Sequence, residues 1–157
     1  MLMFVLALAP IFPSLHAQEW KDPAQLPAVY ASWPAPVRAT FEKLAPGATL
    51  TKLVKNGHSA RWGVEEYYEA FIKPGKNTIE YIIAPDGRLL ATVTHLSLAD
   101  APAAVKYAIE MKSKAAKSTL PASILHWQIG GDGHYTFPVI MPVVWKVDPE
   151  GKLLGKK

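Results

Sequence analysis

The chain has 157 residues, half of them hydrophobic, enough for one compact domain or two small ones sharing a core. It contains no cysteine, which excludes disulfides, thiolate catalysis and Cys-ligated metal or iron-sulfur sites. A net charge of +4, spread over scattered Lys and Arg residues, speaks for solubility with a mild preference for acidic partners and against nucleic-acid binding.

Residues 2–15 are apolar and uncharged, the length of a signal-peptide core, too short to span a bilayer and interrupted by Pro10 and Pro13. Ala17 offers a small residue for cleavage. Residues 1–17 are therefore expected to be a signal peptide, leaving a periplasmic or secreted protein with no stable membrane span after signal cleavage. Residues 18–32 carry Trp20, Pro23, Pro27 and Tyr30 without a sustained period and read as a lead-in segment draped over the first module.

Pro34 and Pro36 suit the first turn of a helix, where a missing N–H costs nothing, with Ser32 as N-cap. Val37, Phe41 and Leu44 then make one apolar stripe, and Pro46 with Gly47 ends the helix. Strands follow at 50–55, 67–73, 78–84 and 89–96. In the second, Tyr68, Ala70 and Ile72 share one face, while Glu69 points the other way. Helix and strands make a first module, residues 33–98.

The pattern then restarts in residues 99–157. Asp100 is placed as N-cap, Pro102 opens a helix, and Val105 and Ile109 repeat Val37 and Phe41 at an offset of 68 (105 minus 37). Strands are predicted at 124–129, 135–140 and 143–147, and Tyr135, Phe137 and Val139 alternate like Tyr68, Ala70 and Ile72 at an offset of 67. Pro138 and Pro142 lack donors and belong at a sheet edge or a bulge, in a module shortened at its central hairpin. The sharpest repeat is a turn. Pro85, Asp86, Gly87, Arg88, Leu89, Leu90 returns as Pro149, Glu150, Gly151, Lys152, Leu153, Leu154. In each, proline presets φ and glycine accepts positive φ without a Cβ clash. The fold class is thus α+β: two tandem modules, each a helix on one face of an antiparallel sheet of about four strands.

A helix that opens with Pro34, Ala35, Val37 and Arg38, repeated as Pro102, Ala103, Val105 and Lys106, followed by alternating strands and an acidic-Gly turn with leucines, resembles the PepSY-like modules of the beta-lactamase-inhibitor-protein fold. The resemblance implies a small exported bacterial protein without catalysis that binds a protein or peptide partner in the cell envelope, in some members a hydrolase or protease that it inhibits. It implies no cofactor and no catalytic residue.

A sheet with helices on one face leaves the other open, and aromatic anchors there mark binding surfaces. If Tyr68, Tyr81, Tyr135 and Trp145 face the helices, then Trp62, Tyr67, Phe71 and Trp127 lie on the open face and are the binding candidates. The alternative is a small-ligand or metal-binding periplasmic protein. His126 and His134 flank a glycine-rich loop with Asp132, and imidazole plus carboxylate suits zinc, although their spacing matches no metal motif. Ser97, His95 and Asp100 make a triad on paper only, with no nucleophile-elbow context.

Overall fold

A computed structural model of the chain describes residues 17–140 and 143–156; residues 1–16 of the predicted signal peptide and Pro142 lie outside the described residues. Among the described residues, nine strands form one antiparallel sheet whose spatial order is the order of the chain: β1 (Gln18–Trp20), β2 (Leu50–Asn56), β3 (Tyr67–Ile72), β4 (Thr78–Ile83), β5 (Leu89–Ser97), β6 (Ser123–Ile129), β7 (Asp132–Ile140), β8 (Val143–Val147) and β9 (Leu153–Lys156). The sheet runs unbroken through its middle, because β5 and β6 pair from Thr92↔Gln128 to Ser97↔Ser123. The register of β7 against β8 shifts between Pro138 and Ile140, so the donorless proline sits at an irregularity of an interior strand.

The helices α1 (Leu26–Ser32) and α2 (Ala35–Leu44) lie between β1 and β2, and α3 (Ala103–Ala115) connects β5 to β6. Val37 and Phe41 of α2 are buried with Leu53, Tyr68, Ala70, Ile72, Tyr81 and Ile83. Val105 and Ile109 of α3 are buried with Ile124, Tyr135, Phe137 and Val147. Val37 and Phe41 therefore meet the same face of the sheet as Val105 and Ile109, since these strand residues alternate with the ones that point away, whereas Leu44, expected in the first stripe, is exposed.

The two acidic-Gly turns are three-residue hairpin loops of one design. Gly87 N–H donates to Ala84 O (2.9 Å) and Ala84 N–H to Arg88 O (2.9 Å); Gly151 N–H donates to Asp148 O and Asp148 N–H to Lys152 O (both 3.0 Å). Each glycine has positive φ, +87° and +86°, as the closing residue of such a loop requires. Each also lies against the first turn of a helix. A Cβ on Gly87 would come within 2.7 Å of Pro36 O, and one on Gly151 would collide with Ala104 O.

In the lead-in, β1 pairs with β2, and α1 brings Leu26 and Tyr30 onto the first core. Two cap assignments are corrected. Ser32 does not cap α2; it ends α1, its hydroxyl donating to Val29 O (2.6 Å), and Pro34 takes the N-cap position. Asp100 does not cap α3 either, because Ser97 Oγ and Lys76 Nζ engage its carboxylate in the short 3-10 turn ahead of Pro102.

Candidate binding face

The strand residues that point away from the helices build a third cluster: Ile82 and Ala84 at the end of β4, Leu90, Ala91 and Val93 of β5, with Tyr67, Leu125, Trp127 and Ile129 packed around them. Trp62 and Val64 join it from the loop between β2 and β3, so that loop folds over part of the face. The loop is tied into a small hairpin of its own. Ser59 and Val64 exchange backbone hydrogen bonds, the amides of Trp62 and Gly63 also donate to Ser59 O (3.2 and 2.8 Å), and Gly63 takes a φ of +63°.

This closed tip places Arg61 between two indoles. Its guanidinium carbon lies 4.4 Å from the Trp62 ring centre and 4.4 Å from that of Trp127. Partial burial among these rings draws the Arg61 pKa down, against a smaller opposing effect of Tyr67. Trp127 is itself fixed, since its Nε1–H donates to Thr136 Oγ1 (3.0 Å) and its ring is parallel to that of His134.

Further along the face the character changes. Phe71 is only 5% exposed, with Lys52 Nζ 3.7 Å above its ring centre and His95 beside it. Glu69 and Glu80 stand next to it. Burial, then the neighbouring Glu80 charge, push the Glu69 carboxyl up to about 7, with Lys52 opposing. Glu80 meets His95 Nε2 at 3.4 Å. The rest of the acidic run is paired at the surface, Glu66 with Lys55 (2.9 Å) and Tyr68 OH (2.7 Å), and Glu65 with His58 (3.4 Å).

Of the four aromatic candidates, Trp62, Tyr67 and Trp127 come together in the third cluster, while Phe71 lies on the same face beneath Lys52. Tyr68 and Tyr81, and likewise Tyr135 and Trp145, pack on the helix side. The His126 and His134 pairing is not made. The tight β6–β7 hairpin registers His126 with Tyr135 and Trp127 with His134, which sends the two imidazoles to opposite faces. His126 stacks on Tyr135 (4.5 Å between centres), and burial holds its pKa below the ordinary value. Among the described residues, no three His, Asp or Glu side chains are grouped to hold a metal ion. Nor does a triad form: Ser97 bonds Asp100, and His95 faces Glu80.

Arg61 is the residue that sequence reasoning missed. Its only signal was its place beside Trp62, because Trp127 lies 66 positions downstream (127 minus 61).

A long antiparallel sheet with its helices on one side and an aromatic cluster on the other makes a helix-backed, open-faced α+β fold. Solved structures share it. A DUF2874 family protein from Bacteroides ovatus ATCC 8483 is 18% identical, with a TM-score of 0.60 over 80% of this chain and 87% of that one. A BLIP-like protein from Bacteroides fragilis NCTC 9343 is 20% identical, with a TM-score of 0.59 over 79% and 85%. A putative periplasmic protein from Bacteroides eggerthii DSM 20697 is 17% identical, with a TM-score of 0.56 over 80% and 88%. No family profile and no curated protein sequence matches the chain. Among the described residues, no helix is long and apolar enough to cross a membrane.

Proposed function

We propose that the chain is an exported, non-catalytic binding protein of the bacterial envelope, built from two PepSY-like modules at 33–98 and 99–157, that takes a protein or peptide partner on the sheet face opposite its helices. One observation carries this reading. Trp62, Tyr67 and Trp127 are held rigidly around Arg61 on that face, and rigid aromatic and arginine side chains are the residue types that dominate protein interfaces. Phe71, on the same face, contributes with Lys52 above its ring. The duplication is supported by the equivalent approach of Gly87 to Pro36 and Gly151 to Ala104. The periplasmic or secreted location is supported by the apolar segment at 2–15 and by the fold shared with a protein described as periplasmic. A hydrolase or protease as the partner draws support from the fold shared with a protein described as BLIP-like.

The test is capture from an envelope fraction by wild-type protein, by Trp127→Ala, and by Tyr107→Ala, whose side chain is exposed on the outer side of α3. A partner retained by Tyr107→Ala and lost by Trp127→Ala supports the reading. Capture insensitive to Trp127→Ala but abolished by Tyr107→Ala moves the site to the helix side and ends it. Assay of envelope hydrolase activity with added protein decides whether binding inhibits.

A further inference from the structure

We infer that Arg61 is the anchor of the open face and that the partner it fits is an acidic peptide segment, one Asp or Glu carboxylate of which docks on the exposed edge of the guanidinium. This rests on the binding role proposed above and adds the chemistry of the partner.

The geometry leaves Arg61 one way to interact. The rings of Trp62 and Trp127 both lie 4.4 Å from the guanidinium carbon, so apolar surface crowds the charge while its planar fork of N–H donors stays available to an acceptor. Among the described residues those donors meet no hydrogen-bond acceptor and no carboxylate, while the nearby acids in sequence are engaged elsewhere, Glu65 with His58 and Glu66 with Lys55. The side chain is nonetheless exposed at the surface. An arginine of this kind has already lost much of its rotamer freedom, because the Ser59–Val64 hairpin fixes its backbone and two rings fix its head. A carboxylate that binds it in a bidentate manner gains the full charge-assisted pair with little further ordering cost.

The surroundings separate an acidic peptide from a polyanion. Trp62, Tyr67 and Trp127 set the charge against apolar surface, which suits a side chain flanked by hydrophobic neighbours. Nucleic acid and anionic lipid need several cations together. Here the same face carries Glu69 and Glu80, within electrostatic reach of Tyr67 as Arg61 is, and these repel an extended anion. One positive anchor in an apolar frame, with acids beyond it, is complementary to a single carboxylate beside apolar residues.

The experiment is selection of a phage-displayed random dodecapeptide library on the immobilised full chain, followed by calorimetric titration of the synthetic consensus peptide. The expected consensus has Asp or Glu adjacent to an apolar residue. Arg61→Gln is expected to weaken its binding by about tenfold or more and to flatten its salt dependence. Arg61→Lys, which keeps the charge and loses the planar fork, falls between. A consensus without an acidic residue, an empty selection, or equal affinity for Arg61→Gln overturns the inference. So does binding of phosphatidylglycerol vesicles that disappears in Arg61→Gln. The two readings fail separately: loss in Trp127→Ala with retention in Arg61→Gln sinks only the role of Arg61, whereas retention in both removes the open face as the site. Thermal melts of each variant confirm that the fold is intact.

Discussion

Beneath α2 the core is aromatic. Phe41 meets Tyr30 and Tyr81 edge-on, and Trp33 packs on Tyr68. Beneath α3, at an offset of 68, Phe41 is replaced by Ile109 and Trp33 by Ala101, both buried. The small residue Ala45 becomes Ser113, whose buried hydroxyl has no partner among the described residues. Thr40, which donates to Gly87 O (2.6 Å), becomes Ala108. What does not change is the valine at the centre of each stripe and the glycine under each first turn. Backbone approach fixes where a helix sits, while the volume that fills the space beneath it is open to substitution.

The largest effect should come from Phe41→Ala, at about 3–5 kcal/mol in urea unfolding, against about 2–4 for Ile109→Ala. Equal losses would show that the two cores are equally demanding despite their different contents. Next come Gly87→Ala and Gly151→Ala. Each puts a Cβ into a left-handed residue and against a helix carbonyl, and each should cost at least about 2 kcal/mol. A cost at one glycine only would break the equivalence of the two docking sites.

A smaller effect distinguishes the open faces of the two halves, where Glu69 matches Thr136 at an offset of 67. Glu69 has its pKa raised from 4.5 to about 7, so the folded state holds its proton more tightly than the unfolded chain. Stability is then complete below about pH 4.5, falls as the pH rises towards 7, and stays lower above it. Glu69→Gln should equal wild type at pH 4 and exceed it at pH 8 by about 1–2 kcal/mol, discounted for its partial exposure; thermal melts across this range would show a constant difference if the carboxyl were unperturbed. Smallest is Ser113→Ala, which removes an unpartnered buried hydroxyl and should raise stability by about 1 kcal/mol.

What could be read from the sequence was what proline, glycine and short-period patterning encode locally. The Gly87 and Gly151 turns and the Val37 and Val105 stripes belong there, as do the faces of Tyr68 and Tyr135. The short elements were not legible. β1 is three residues long and is a strand only because the edge of β2 accepts it, and α1 shows too little periodic surface to stand out. The histidines misled for a different reason. Their proximity in sequence was real, but the register of a two-residue hairpin decides the face, and it separates His126 from His134. Arg61 was hidden because its environment is assembled from β6 and a loop more than sixty positions away, and no local pattern marks a cation for stacking.

The strands lie across the sheet in the same succession in which they leave the ribosome. From β3 onward each one therefore finds its docking edge already formed by the strand synthesised before it, and none must wait to be threaded between two earlier ones. Such nearest-neighbour wiring keeps loop-closure distances short and favours rapid acquisition of structure for so β-rich a chain. A polypeptide that emerges from its amino end can then zip up progressively as it arrives.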